Sequence, residues 1–146
     1  MEQKGDNFMN ENMKLSLIEE AKKAREKAYA PYSNFMVGAA LLTEENKIYR
    51  GCNIENGAYS PSNCAERTAF FKAISEGERA FKAIAIVGAM RGTNEKDWKI
   101  CPPCGVCRQV MAEFCEKDTF EIILCEGERA IKSYRLEELL PLGFQL

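Results

Sequence analysis

The chain has 146 residues, of which 46% are hydrophobic and 29% charged, and this composition is ordinary for a single soluble globular domain. The formal net charge is −2 and no basic stretch dominates. This argues against nucleic acid as the main partner, because binding to phosphates needs clustered Lys and Arg. No apolar run approaches the ~20 residues of a membrane helix, so we expect no membrane partner either.

Seven cysteines and the absence of histidine limit both the compartment and the chemistry. We expect residues 1–12 to form a flexible tail, because they are polar and lack the apolar region of a secretory signal, and residues 13–146 to form one catalytic domain. An odd number of cysteines cannot pair completely, which favours the reducing cytoplasm. Without histidine, a metal site must use sulfur or carboxylate ligands, and a general base must be a carboxylate.

The hydrophobic pattern predicts nine elements in the order α-β-β-α-β-α-β-β-α. Helices between strands indicate a sheet covered on both faces, so the predicted fold is α/β, a three-layer α/β/α sandwich with a mixed five-stranded sheet. Helices are expected at residues 13–29, 64–76, 103–115 and 136–140, and strands at residues 35–42, 47–54, 83–89, 120–125 and 130–134.

Two cysteines in the third predicted helix form the first chemical motif, Cys104-Gly105-Val106-Cys107. Pro103 suits the first helical position, which places Cys104 and Cys107 on one helix face with about 5–6 Å between their Cβ atoms. Both sulfurs can then bind one ion at about 2.3 Å. Thiol exchange is an alternative, because Cys101 and Cys104 form a second, overlapping Cys-x-x-Cys.

The second chemical motif is Asn63-Cys64-Ala65-Glu66-Arg67, at the start of the second predicted helix. Taken alone, it is typical of a capping box, with Asn63 as N-cap and Glu66 at the third helical position. Together with the later Cys-x-x-Cys, it matches the three-cysteine pattern of zinc deaminases, in which the glutamate is the general acid and base. Three protein ligands leave one corner of the zinc tetrahedron open, as in catalytic sites.

These motifs and several others give the chain a resemblance to the cytidine deaminases of the small homotetrameric type. The similarity extends from about Leu17 to Phe144. The stretches that carry it are residues 30–35, 37–40, 51–56, 63–69 and 103–109.

The resemblance implies one Zn²⁺ per subunit, held by Cys64, Cys104 and Cys107. It also implies zinc-dependent hydrolytic deamination of cytidine and deoxycytidine to uridine and deoxyuridine plus ammonia, in pyrimidine salvage. In this family a zinc-bound hydroxide attacks C4 of the cytosine ring, and a glutamate at the position of Glu66 shuttles the protons. Arg67 is expected to donate hydrogen bonds to the ligand sulfurs and to withdraw charge from them.

Substrate contacts are also implied by the family. Asn53 and Glu55 would bind the ribose 3′-hydroxyl, the backbone around Ala65 would bind the base edge, and Phe35 and Phe144 would be aromatic walls. Because the matching phenylalanine near the chain end reaches a neighbouring subunit, we expect a homotetramer with shared active sites. The substrate-binding residues implied are therefore Asn53, Ile54, Glu55, Phe35, Ala65 and Phe144.

The chain departs from the family before the third helix. Pro102 stands where relatives have Ser or Thr, although its carbonyl can still accept a hydrogen bond from the substrate amine. The loop at residues 91–101 is longer than usual, which makes Trp98 and Cys101 candidates for the pocket mouth. Cys101 is also a candidate fourth ligand, as in a non-enzymatic zinc module, and a deaminase for a cytosine-containing antibiotic is a further alternative. The other cysteines are expected in the core: Cys52, Cys115 and Cys125.

Overall fold

The computed structural model describes residues 9–146, and five strands in this part of the chain form one mixed sheet. The strands are β1 (Phe35–Thr43), β2 (Ile48–Cys52), β3 (Phe81–Met90), β4 (Glu121–Glu126) and β5 (Ala130–Arg135), and the helices are α1 (Glu11–Arg25), α2 (Ala65–Ser75), α3 (Gly105–Phe114) and α4 (Leu136–Leu139). Their order along the chain is the predicted one.

The order of strands in the sheet is β2-β1-β3-β4-β5. The pair β3 and β4 is parallel, and the other three pairs are antiparallel. The mixed five-stranded sheet predicted from the sequence is therefore confirmed.

Helices cover both faces of the sheet, which explains why β1 is almost continuously apolar. Ala39 and Leu41 belong to the hydrophobic cluster that includes α2, α3 and α4, whereas Ala40 and Leu42 belong to the cluster that includes α1. Successive side chains of a strand point to opposite faces, so a strand between two helical layers needs apolar residues throughout. The predicted three-layer arrangement is confirmed.

Two glycines allow the helices to approach the sheet closely. A Cβ atom at Gly38 would lie 2.1 Å from the carbonyl oxygen of Ala21 in α1. A Cβ atom at Gly51 would lie 2.4 Å from the carbonyl oxygen of Ala65, the first residue of α2. Because no side chain separates β2 from α2, the start of α2 lies directly beside the end of β2.

The first helix begins and ends earlier than the sequence pattern predicts. Asn10 caps α1, since its side chain accepts a hydrogen bond from the Met13 N–H at 2.9 Å, and Met9 is buried. The expected boundary between residues 12 and 13 therefore falls inside a helix. The helix ends at Arg25 because Tyr29 instead donates its N–H to the Asn53 carbonyl at 2.9 Å. The remainder of the expected tail, residues 1–8, lies outside the described residues.

Over residues 9–146, every helix is too short or too polar to cross a lipid bilayer.

Candidate metal centre and substrate cleft

Two helix starts bring three cysteine sulfurs together. Cys64 is the N-cap of α2, Cys104 is the N-cap of α3, and Cys107 lies in the first turn of α3. The three sulfur atoms lie within 4.8 Å of one another, and those of Cys64 and Cys104 are 3.9 Å apart. Tetrahedral zinc with bonds of about 2.3 Å holds its sulfur ligands ~3.8 Å apart, so the spacing fits this ion.

Both helices begin later than predicted, α2 by one residue and α3 by two. Asn63 does not cap α2, because its side-chain amide donates to the Thr68 hydroxyl at 3.1 Å. Pro103 precedes the cap of α3 rather than opening the helix, and the Cys104 sulfur accepts the Cys107 N–H at 3.4 Å. The capping-box alternative for Glu66 is therefore wrong. Two sulfurs occupy the cap positions, where the positive end of the helix dipole favours thiolate.

The thiols of Cys64 and Cys107 differ in how readily they ionise. The hydrogen bond from Cys107, together with Arg67, lowers the pKa of Cys64 to about 5. The same hydrogen bond, with burial, raises the pKa of Cys107. Three thiolates this close repel one another, so a divalent cation is the partner that would stabilise all three in the ionised state. The donor set therefore fits a zinc ion.

Arg67 lies where it can offset the negative charge of the sulfurs. Its Nη2 donates to the Cys64 sulfur at 3.2 Å, and this bond raises the pKa of the guanidinium. Its Nε is buried and makes no hydrogen bond to any of the described residues. Three thiolates on Zn²⁺ carry a net charge of −1, which the Arg67 charge reduces.

Glu66 is a buried carboxyl group beside the sulfurs. Only 4% of the residue is exposed, and burial, with a smaller contribution from the Cys64 charge, raises its pKa to about 7. A group with a pKa near neutrality is populated in both protonation states. Glu66 can therefore both accept and donate a proton at neutral pH.

A cleft of about 270 Å³ opens beside the sulfurs. It extends from the sulfur end, where Cys64, Cys104 and Glu66 line it, to the β2 end, where the chain leaves β2. Most of the predicted site residues are brought together in its walls: Asn53, Ile54, Glu55, Cys64, Ala65, Glu66, Arg67 and Cys104.

Hydrogen bonds to the protein anchor both polar side chains at the β2 end. The Asn53 carboxamide accepts the Val37 N–H at 2.9 Å and donates to the Phe35 carbonyl at 2.7 Å. The Glu55 carboxylate accepts the Ser33 hydroxyl at 2.5 Å and the backbone N–H groups of Ser33 and Tyr32 at 3.1 and 2.9 Å. The Ser33 hydroxyl is the main cause of the lowered pKa of Glu55. Each side chain still has hydrogen-bonding capacity for a ligand.

Two predicted aromatic walls do not line the cleft of the single chain. Phe35 is half-buried at the start of β1, where its ring packs over Gly88. Phe144 is 65% exposed in the C-terminal segment, and its carbonyl accepts a hydrogen bond from the Gln109 side chain at 3.2 Å.

The long loop supplies one of its two candidates to the cleft. Of the two candidates for the pocket mouth, Trp98 does not line the cleft. The indole packs on the α1 face of the sheet, with the Arg25 guanidinium 4.6 Å from the ring centroid. Its N–H donates to the Thr93 carbonyl at 3.0 Å. Cys101 does line the cleft, together with Pro102.

Cys101 does not join the three clustered sulfurs. Among the described residues, the sulfurs that lie within 4.8 Å of one another are those of Cys64, Cys104 and Cys107. Burial, with smaller effects from the charges of Glu66 and Cys64, raises the pKa of the Cys101 thiol to about 12. Thiol exchange needs a thiolate, so this environment disfavours the oxidoreductase alternative.

Three further residues line the cleft that the sequence analysis did not place in the site: Val37, Ser62 and Asn63. Val37 belongs to one of the stretches that carry the family resemblance, so a signal for it was present. Ser62 lies in a polar loop whose composition gave no sign of a role.

Comparisons with known proteins agree with this geometry. The family model for the cytidine and deoxycytidylate deaminase zinc-binding region matches residues 11–122. A cytidine deaminase of Sporosarcina psychrophila is 54% identical over 128 residues, which are 88% of this chain and 88% of that protein. A cytidine deaminase of Halalkalibacterium halodurans is 51% identical over 128 residues, covering 88% of this chain and 91% of that protein.

Solved structures show the same likeness. The crystal structure of a cytidine deaminase from Burkholderia pseudomallei has a TM-score of 0.78 and 48% sequence identity, and the match covers 93% of this chain and 100% of that one. This chain therefore belongs to the family defined by the cytidine and deoxycytidylate deaminase zinc-binding region.

Proposed function

We propose that this protein catalyses the zinc-dependent hydrolytic deamination of cytidine and deoxycytidine to uridine and deoxyuridine plus ammonia, in pyrimidine salvage. The observation that carries the proposal is the buried Glu66 carboxyl in a cleft beside three clustered sulfurs. The 54% identity to a cytidine deaminase across most of both chains supports the substrate class.

Cys64, Cys104 and Cys107 would hold one Zn²⁺ per subunit. The bound ion supplies Lewis acidity, which makes water nucleophilic near neutral pH. The chain itself contributes the ligand sulfurs, the Arg67 hydrogen bond to one of them, and two helix N-termini directed at the site.

Glu66 carries the protons of the reaction. Its carboxylate takes a proton from the water that attacks C4 and delivers it to N3 of the ring. It then takes the second proton, from the hydroxyl group now on C4, and gives it to the exocyclic amine, which leaves as ammonia as the C4 carbonyl of uridine forms. Burial holds its pKa at about 7, so neither the transfer to Glu66 nor the transfer away from it is strongly uphill.

The walls of the cleft orient the nucleoside. The amine would donate to the Pro102 carbonyl, and the backbone at Ala65 would bind the base edge, since both residues line the cleft. At the β2 end, Asn53 and Glu55 would bind the ribose 3′-hydroxyl, with Ile54 between them. Asn53 and Glu55 are held by the chain before substrate arrives, which lowers the entropic cost of binding.

The C-terminal segment would complete the site in a homotetramer with shared active sites. Leu142, Phe144 and Leu146 are all largely exposed, and a neighbouring subunit is the partner that would cover them. Phe144→Ala should then weaken assembly, measured by sedimentation, and raise the KM for cytidine. Ile48→Ala, at an exposed position on β2, is the matched control. An unchanged tetramer with unchanged KM would remove this role.

We place the protein in the cytoplasm, because all seven cysteines are unpaired in the structure. A reducing compartment would keep the three ligand sulfurs available for metal.

Two measurements on the purified full chain test the proposed function together. Metal analysis should find one zinc per subunit, and cytidine should be consumed with formation of equimolar uridine and ammonia. Zinc without turnover of any aminopyrimidine would indicate a structural module, and turnover without metal would contradict the proposed chemistry.

A further inference from the structure

The floor of the cleft lies across the sheet. Val37 on β1, which lines the cleft, pairs directly with Gly88 on β3. On its other side, Val37 exchanges hydrogen bonds with Asn53, at 2.9 Å to the side chain and 3.2 Å from the Asn53 N–H. Asn53, Val37 and Gly88 are therefore neighbours across the sheet, and the first two of them line the cleft.

Cys101 lies on Gly88 and fills the space that the missing side chain leaves. A Cβ atom at Gly88 would lie 2.7 Å from the Cys101 sulfur, 3.2 Å from the Cys101 Cβ and 3.1 Å from the Phe35 ring. Real Cβ atoms do not approach other atoms as closely as 2.7 Å. The glycine thus lets the thiol lie against the sheet, and any larger residue at position 88 would push it towards the cleft.

Cys101 lines the cleft together with Glu66 and Cys64, and it is close enough to feel the charges of both, which places it at the sulfur end. In the proposed reaction, Glu66 and the sulfurs meet C4, N3 and the amine, while the sugar extends towards Asn53 and Glu55. Cys101 is therefore next to the part of the ring that carries the exocyclic amine and C5.

We propose that the Gly88–Cys101 pair is a specificity element that limits the size of the substituent on C5 or on the exocyclic amine of the substrate. This inference rests on the proposed function and deepens it. The depth of the cleft at Cys101 would let compact pyrimidine nucleosides bind and would exclude those with larger substituents.

Three variants change that depth in known directions. Cys101→Ala removes the sulfur and deepens the cleft, and Gly88→Ala displaces the sulfur and makes the cleft shallower. In the double variant, which carries both Gly88→Ala and Cys101→Ala, the methyl group added at position 88 refills the space that the sulfur leaves. Cys125→Ala, in the hydrophobic core on the opposite face of the sheet, is the control for loss of a buried thiol.

The readout is kcat/KM for 5-methylcytidine and for N4-methylcytidine, each divided by kcat/KM for cytidine. One methyl group in a pocket is worth about tenfold or more. Cys101→Ala should therefore raise at least one ratio about tenfold, and Gly88→Ala should lower the same ratio. The double variant should return to within about twofold of the unsubstituted chain, and Cys125→Ala should change neither ratio. Unchanged ratios for both substituted nucleosides in Cys101→Ala would overturn the inference.

Binding measurements separate this inference from the proposed function. If the protein does not consume cytidine, the proposed function fails. The same three nucleosides are then compared by equilibrium binding to the same variants, where the same order of affinity ratios is expected. Equal ratios in all variants would overturn the size limit. Because Cys101→Ala leaves Gly88 in place, it remains informative if Gly88→Ala does not fold.

Discussion

The two ends of the cleft are built in different ways. At the sulfur end, three cysteines at the starts of two helices lie beside a buried carboxyl group. At the β2 end, Asn53 and Glu55 already make hydrogen bonds to β1 and to the loop before it. In the proposed reaction, the first end holds the groups that react, and the second holds the groups that position the substrate. We therefore expect substitutions at the sulfur end to abolish turnover or metal binding, and substitutions at the β2 end to raise KM.

The largest effect is expected from removing a ligand sulfur. Cys107→Ala leaves only two sulfurs for the metal. Loss of a partner outside the ligand set already costs ~10–100-fold in metal affinity, so loss of a ligand should cost more than ~100-fold. Zinc content after dialysis should fall close to zero, and turnover of cytidine should fall with it. Cys115→Ala, in the same hydrophobic cluster, should keep both. Full zinc content in Cys107→Ala would break the assignment of the ligands.

A smaller effect at the same end is expected from Arg67. Arg67→Ala removes the donor to the Cys64 sulfur and the positive charge that offsets the thiolates. Zinc affinity, measured by competition with a chelator, should fall ~10–100-fold, and Arg67→Lys should be intermediate because it keeps the charge alone. Arg79→Ala, which removes an exposed arginine bonded to backbone carbonyls, is the control. Equal zinc affinity in Arg67→Ala and Arg79→Ala would exclude the role.

At the β2 end, Glu55→Gln should act on substrate binding. Hydrogen bonds to charged groups are worth ~1.5–3 kcal/mol, which corresponds to a KM for cytidine raised at least ~10-fold, with kcat little changed. Ser33→Ala removes one of the donors that anchor the carboxylate and should raise KM only a few-fold. Zinc content should be unchanged in both variants. A drop in kcat larger than the rise in KM would show that the two ends do not divide the work in this way.

The sequence was most informative where chemistry is tied to spacing. Cysteines three residues apart at a helix start present their sulfurs together, so the pair formed by Cys104 and Cys107 was predictable from spacing, whereas Cys64 was added only through the pattern of the zinc deaminases. The helix starts were wrong by one residue at α2 and by two at α3, because Asn63 is of a type common at caps and Pro103 of a type common at the first helical position. The sequence could not show that Asn63 bonds Thr68 instead.

Other features depended on tertiary contacts that the sequence does not encode locally. Trp98 stands alone in a polar loop, and its burial depends on Arg25, which is 73 residues earlier in the chain and stacks on its ring. The polar residues before position 13 indicated a tail, although Asn10 is a good cap and begins α1 there. The hydrogen bonds of the Asn53 side chain to β1 likewise depend on a neighbouring strand.

The role of the Glu66 carboxyl as proton carrier is the central claim, and Glu66→Gln tests it most directly because this change keeps the shape and removes the titration. Zinc should remain at one per subunit, and kcat for cytidine should fall by ~10²–10⁴-fold, the usual contribution of general acid and base catalysis. Glu44→Gln, at an exposed turn, should retain both. A Glu66→Gln protein that binds zinc and still deaminates cytidine at the original rate would contradict the account.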